Sequence, residues 1–526
     1  MKRGTGREGA AASRGKGGAT PVLLWAALAL LAAVPYLGSL ANPLIHDDRT
    51  LLDNAWLRSE ASVASVFAHD YWYGTRHAGS DLYRPMTVLS LAWNLRLAPG
   101  RGAFHAVNLL LHAGTVLLAA LALRAVLRVL GARPSDPAAS AYGGSALPFA
   151  AWAGAAVFAV HPLGSEAVLL AVGRAELLAA GFGLGAFVLL TRADEREGWG
   201  GWPLAAALVL FFLALASKES AAAWLVIGAA WWTARRAAGT PPRGLLVARG
   251  AAFAAVFASF LLLRGSAVGF APHPPPAVDN PLVSTDTATR VANAAILQGK
   301  YALQMLLPLR LTTEYGLDET RAIPLLPWGA AAALGLAAAY LAVLAALWRK
   351  VSRPAAFLWV FAPAAFAVTG NFALPIGTIF GERLAYLPLL GACGLAGLGL
   401  AAIPGPAWRR SLAAATILLL ASARTAVRAD DFRGVVALHE ATAHASPNSV
   451  KALINLGRTR LLIQHRPEEA AEILERAARL LPDYPRTLRL LSQAYEAMNR
   501  PELAAEWRQK AEAAESRLPQ AAVEPP

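Results

Sequence analysis

Two adjacent carboxylates, Asp47 and Asp48, stand in the string His46-Asp47-Asp48-Arg49, just after an apolar run that ends at Leu40. A carboxylate fixed where a membrane helix meets water can take a proton from an incoming hydroxyl. Asp70, in His69-Asp70-Tyr71-Trp72, is a second carboxylate of the same stretch. Any one of these taken alone reads more simply as a solvated loop residue. Four cations interrupt or flank other apolar runs: Arg84 in Tyr83-Arg84-Pro85, Arg174 in Gly173-Arg174-Ala175-Glu176, Lys218 in Ser217-Lys218-Glu219-Ser220 and Arg383 in Gly381-Glu382-Arg383. Cations gathered on one membrane face can hold a phosphate and stabilise it as a leaving group, and arginine does so with a planar, two-pronged grip. His161, Glu166, Glu176, Glu219 and Glu382 lie within a few residues of a cation or of an apolar boundary. Singly they are snorkelling ends or intramembrane ion pairs. Ionisable groups near a bilayer are costly, however, and so many on one face point to a site. The chemistry these types fit is transfer of a sugar from a lipid-linked phosphate to a hydroxyl, with the carboxylates and His161 orienting the cations or the sugar.

His105, Asn108 and His112 recur at i, i+3 and i+7 and share one helix face. That face can line a polar cavity beside the substrate. The interval from His105 to His112 is longer than the i, i+4 spacing of a zinc-binding pair, so hydrogen bonding is the better reading, and neither a metal nor a cofactor is expected.

The elements that must position these residues are membrane helices. The chain of 526 residues is 56% hydrophobic and only 16% charged, which excludes both a single water-soluble globule and a disordered chain. Apolar runs of spanning length lie at 21–40, 104–126, 147–161, 172–191, 203–217, 220–234, 249–264, 327–348, 355–370, 384–403 and 410–427. The expected fold is therefore mainly α, a polytopic bundle of about eleven spans. The net charge of +14 suits basic loops on one membrane side rather than nucleic-acid binding. With the N-terminus inside, the inside loops carry Arg124, Arg128 and Arg133; Arg192 and Arg196; Arg235, Arg236, Arg243 and Arg249; Arg349, Lys350 and Arg353; and Arg409 and Arg410. All the site candidates then fall outside. Two outside segments, 41–103 and 265–326, are too long for turns, and 288–307 has the periodicity of a helix lying along the membrane surface. The single cysteine, Cys393, excludes an internal disulfide. Residues 1–20 read as a disordered basic cytoplasmic terminus.

After Arg428 charges rise. Gly457 and Ser492 are 35 residues apart, and Ala470 and Ala504 are 34 apart. Small residues at a period near 34 are the tetratricopeptide pattern. Residues 429–516 are expected to form two repeats and a half, and 517–526 a flexible tail.

The strings HDDRTLLDN (46–54), YRPMTVLSLAWN (83–94), FHAVNLLLHA (104–113), FAVHPLGSEAVLLAVGRAELLAA (158–180), LALASKESA (213–221) and FGERLAYLPLLGACGL (380–395) occur in order ahead of that tail. The chain thereby resembles the transmembrane and tetratricopeptide repeat-containing O-mannosyltransferases of the GT-C class, from about residue 40 to about 515. The resemblance implies a GT-C-like membrane domain over 21–428, a polyprenyl-phosphate-linked sugar as donor, inversion at the anomeric carbon and an acidic base in the first outer loop. Here that base falls on Asp47 or Asp48. It also implies a periplasmic acceptor, a protein, glycan or lipid, with a protein Ser/Thr held by the repeats among the candidates. The composition suggests a bacterial inner-membrane chain, in which the sugar need not be mannose. A non-catalytic scaffold presenting its repeats is the alternative. A flippase would need polar residues deep in the spans and on both faces, which this sequence does not show.

Overall fold

The computed structural model describes residues 19–131, 146–196, 198–236, 242–270, 274–316 and 327–517. The basic terminus up to residue 18, Arg133, parts of the second long outer segment and residues 518–526 lie outside the described residues. Every regular element among the described residues is a helix. They run α1 Ala19–Ala33, α2 Asp47–Leu52, α3 Ala55–Ser59, α4 Val63–Ala68, α5 Pro85–Leu97, α6 Arg101–Gly131, α7 Ala146–Val160, α8 Ser165–Leu169, α9 Arg174–Asp194, α10 Gly201–Ser217, α11 Ala223–Arg236, α12 Arg243–Val268, α13 Thr287–Leu306, α14 Pro327–Ala346, α15 Arg353–Ala365, α16 Leu389–Ala401, α17 Ala407–Asp431, α18 Val435–Ala445, α19 Val450–Leu462, α20 Pro467–Leu480, α21 Pro485–Ala497 and α22 Pro501–Ser516.

Each of the eleven expected runs falls on a helix. Six helical segments are long and apolar enough to cross a membrane by themselves: Val22–Ala41, Arg101–Gly131, Ala171–Asp194, Arg243–Val268, Ala331–Arg349 and Ala407–Asp431. Ala146–Val160 with Pro162–Leu169, bent by 53°, makes a seventh if the pair is one span. The four remaining expected spans are short, 17 residues in α10, 14 in α11, 13 in α15 and 13 in α16. Large apolar side chains such as Val22, Leu23, Leu110, Leu262, Leu334 and Leu419 point outward, as a lipid-facing surface requires. The chain is a membrane protein by this measure.

The centre is built on small residues. α6 packs on α1, α7 and α9. α7 meets α16 so closely that a Cβ on Gly397 would lie 2.2 Å from the Ala150 carbonyl, and one on Gly154 would lie 2.9 Å from that of Cys393. Such contacts replace the hydrophobic drive that lipid removes. At the end of the bundle that carries the basic turns, Arg249 is fully buried and pairs with Asp194 at 2.6 Å, while Asp194 also accepts from Trp231 Nε1 at 2.9 Å. Arg249→Met will strand the Asp194 charge and cost about 3–5 kcal/mol, read as a lower unfolding temperature in detergent. An unchanged temperature would show the pair to be dispensable.

At the other end, segment 41–103 folds into α2–α5 with its own core of Leu51, Leu57, Val66, Leu91 and Phe104. Asn54 caps α3, Ser62 and Ser65 cap α4, and Thr87 Oγ1 reaches the Ser217 carbonyl at 2.8 Å. α13 is amphipathic, as expected, and starts on the Asp286 cap. Its Tyr301 stacks on Phe380, so one face rests on protein. α17 runs on to Asp431, because Arg428 is an interior residue bonded to Glu382 at 3.2 Å and Asp431 at 3.0 Å. The tail is then a single helix, α18, followed by two helix pairs, α19 with α20 and α21 with α22. Gly457 admits Leu474 at the first pair, where a Cβ would lie 2.6 Å from its Cγ.

Candidate active site

α2 begins at Asp47 and turns Asp47 and Asp48 to different surroundings. Asp48 has no exposed surface. Its two oxygens accept from Ala171 N at 3.0 Å and Val172 N at 2.8 Å, closing the turn before α9. Burial pushes its carboxyl up to about 7, against those two N–H bonds, which favour the charged form. Asp47 is exposed. The sequence left the two equivalent; the structure gives one an anchoring role and leaves the other exposed.

Asp47 lies within the electrostatic field of Arg383 and Tyr71, which belong to a cluster drawn from distant stretches of chain. Arg383 Nη1 lies 3.4 Å from Glu166, whose other oxygen accepts from the Arg383 backbone N at 3.0 Å. Arg84 grips Glu219 with two prongs, at 3.0 and 2.5 Å, and lies 5.2 Å over the Tyr71 ring. Lys218 pairs with Glu176 in a nearly buried contact. The side chain of Arg383 is 37% exposed, against 15% for Arg84 and 7% for Lys218, so Arg383 has the most surface free for a ligand. Burial works against its charge, yet Glu166, Asp47 and Glu176 hold the guanidinium above its ordinary value. Burial likewise opposes the Glu219 charge, but Arg84 and Lys218 hold that carboxyl down to about 2. Lys218 is lowered by burial, with Glu176 opposing.

Four further expected site residues, like Glu166, Glu176 and Lys218, are buried. Arg174 has no exposed surface. Its guanidinium donates to Asn108 Oδ1 at 3.0 Å, Asn94 Oδ1 at 2.8 Å and the carbonyls of Ser90 and Phe104. Its donors tie α5, α6 and α9 together. Glu382 is also fully buried, bonded to Arg428, Tyr315 and the backbone N of Thr312. His161 accepts from Leu163 N at 3.2 Å and bonds the Met305 carbonyl at 3.0 Å. His105 is buried on α6. Its neighbour on that face, His112, joins Tyr386 at 2.7 Å and the Ala159 carbonyl at 3.0 Å. Asp70 spends its oxygens on its own loop, accepting from Trp72 N at 2.8 Å and Gly79 N at 3.2 Å.

The structure adds residues that spacing could not reveal. Glu314 comes from the segment after α13. Burial raises its carboxyl, with Lys451 opposing, and Arg383 and Glu166 are also within its field. Tyr71 lies within the fields of Arg84, Asp47 and Arg383. Glu314 stands in none of the strings singled out above, and Tyr71 enters them only as the neighbour of Asp70. Among the described residues no three of His, Cys, Asp and Glu converge as a metal site requires.

A membrane helical bundle with acids and cations converging at one end is the class of protein that fold and site define. No family model matches the chain. Its curated homologues are protein O-mannosyl-transferases of the TMTC family. It is 25% identical to "Protein O-mannosyl-transferase TMTC4" of Homo sapiens over 481 residues, 82% of this chain and 63% of that protein. The Mus musculus protein of the same name is also 25% identical, over 79% of this chain and 61% of its own length. "Protein O-mannosyl-transferase Tmtc3" of Drosophila melanogaster is 37% identical over 172 residues, 31% of this chain and 18% of its own. The chain thus spans less than two thirds of the length of these relatives.

Proposed function

We propose that this chain is an inverting glycosyltransferase that moves mannose or a similar sugar from a polyprenyl-phosphate carrier to a hydroxyl, such as a protein Ser or Thr. The observation that carries the reading is an exposed carboxylate, Asp47, within the electrostatic field of the partly open Arg383, which shares that field with Arg84 and Lys218. The names of the homologues support a sugar donor and a protein acceptor. The acceptor oxygen attacks the anomeric carbon opposite the phosphate, the bond from that carbon to the phosphate oxygen breaks, and the phosphate leaves on its carrier. Asp47 takes the hydroxyl proton, and Arg383 offsets the charge that grows on the phosphate. Arg84 and Lys218, each held by a carboxylate, add positive field and keep the cleft in shape. The cleft opens to the periplasm of a bacterial inner membrane, and the tail is a short tetratricopeptide stack that receives the acceptor. A scaffold has no use for a charged cleft of this kind, so the transferase is the better reading.

The test is direct. The purified full chain in lipid nanodiscs is given a radiolabelled mannosyl-phosphoryl-polyprenol and a panel of Ser/Thr peptides. Label on a peptide, lost with the base from alkali-labile linkages, is the expected result. Donor that is bound but never consumed, with any acceptor, overturns the reading.

A further inference from the structure

The loop that carries Asp47 is held from outside the helical bundle. His46 has φ +50°, a left-handed conformation that residues other than glycine seldom adopt. Strain of that kind persists where its surroundings fix it, and here the surroundings include the tail. His46 Nε2 lies 3.2 Å from Nε2 of His439 on α18, with the two rings edge to face and their centroids 4.9 Å apart.

The bonding pattern assigns the protons. Thr459 Oγ1 donates to the Asn455 carbonyl at 2.9 Å, so its 2.6 Å contact with His439 Nδ1 must be one that it accepts. His439 therefore carries its proton on Nδ1 and turns the Nε2 lone pair to His46, whose Nε2–H donates. Burial, with His46 and Arg458 nearby, holds His439 down at about 3, so the acceptor nitrogen stays free of protons at working pH. Two other contacts fix the same docking: Lys451 Nζ to Asp279 at 2.5 Å and Thr442 Oγ1 to Thr313 Oγ1 at 3.0 Å. Thr313 is the residue before Glu314, so the tail touches both the loop of Asp47 and the segment that carries Glu314.

We propose that His439 is a positioning residue for Asp47: through His46 the soluble tail locks the loop of the base, and the site is complete only when the tail is docked. This rests on the reading of Asp47 as the base. It makes the tail part of the catalytic geometry, so an acceptor received there is coupled to the position of the base.

The experiment uses the full chain in nanodiscs with the mannosyl-phosphoryl-polyprenol donor. His439→Ala is expected to lower kcat roughly tenfold to a hundredfold, the cost of a misplaced catalytic group, with donor KM unchanged. His46→Ala should fall as far, and the double variant no further, because both act through one contact. His439→Gln should recover activity, since its amide oxygen can accept from His46. Wild-type kcat in His439→Ala, or losses that add in the double variant, overturns the proposal. If His439→Ala is not recovered folded, His46→Ala decides alone, and wild-type kcat there overturns it too. A nitroxide on Asp47→Cys reports independently of turnover, Cys393 being buried. Its spectrum should sharpen when His439 is replaced, and an unchanged spectrum overturns the proposal even if transfer is lost. Transfer that survives Asp47→Asn, by contrast, sinks the reading of Asp47 as the base and leaves the spectrum to judge the contact.

Discussion

Asp47→Asn will abolish sugar transfer and leave the fold intact, whereas Asp48→Asn will loosen the fold. Asp47 is exposed at the cleft, and an amide in its place cannot accept the acceptor's proton. The expected loss is roughly a hundredfold to ten-thousandfold in kcat, the usual worth of a positioned base, with no change in unfolding temperature. Asp48 is buried and accepts from two backbone N–H groups. An amide there can accept only one of them and sets its own NH₂ against the other, at a cost of about 1–3 kcal/mol. pH separates the two further. The Asp48 carboxyl is raised from 3.8 to about 7, so on raising the pH the unfolded chain releases this proton first. Asp48 therefore removes stability as pH climbs from about 4 to about 7. Unfolding temperatures at pH 5 and pH 8 should fall more steeply in the wild type than in Asp48→Asn. A dead but fully stable Asp48→Asn, beside an active Asp47→Asn, would reverse the two roles.

The helices were legible in the sequence because their cause is local. A long apolar run between charged turns has few other ways to satisfy its backbone. The tail was legible because Gly457, Ala470 and Ala504 mark close helix contacts at a regular interval. The grouping of Glu166, Glu176, Lys218, Glu219 and Arg383 was also legible, since each marks the end of an apolar run and alternation puts those ends on one face. What spacing could not give was direction. Arg174 and Arg383 look alike in the sequence, yet Arg174 lies on the inner face of α9, where Asn94 and Asn108 absorb it, and Arg383 keeps part of its side chain exposed. Asp47 and Asp48 were inseparable for the same reason: one step along a helix is 100° of rotation, and only the packing of α2 against the turn at Ala171 decides which carboxylate is turned inward. Glu314 and His439 were beyond reach because their partners are set by how loops and tail fold back, not by any nearby pattern.

Arg383→Ala will cripple both donor binding and turnover. Its guanidinium is the most open of the cleft's cations, and Glu166 engages it at one 3.4 Å contact that leaves other N–H groups to a ligand. Loss of a donor aimed at developing negative charge costs roughly a hundredfold to a thousandfold in kcat. Affinity for polyprenyl phosphate should fall as well, while affinity for the unphosphorylated polyprenol should not. Arg383→Lys keeps the charge and loses the fork, so it should recover only part of the rate. Arg84→Ala offers the contrast. Arg84 already spends two prongs on Glu219, so its removal frees a carboxylate beside Lys218 and shifts the cleft's charge without removing an open phosphate donor. Its kcat should fall less than that of Arg383→Ala, and the Glu219 carboxyl, relieved of its partner, should titrate above its present value of about 2. If Arg383→Ala binds polyprenyl phosphate as the wild type does, the phosphate is held by another group, and Lys218 becomes the cation to replace next.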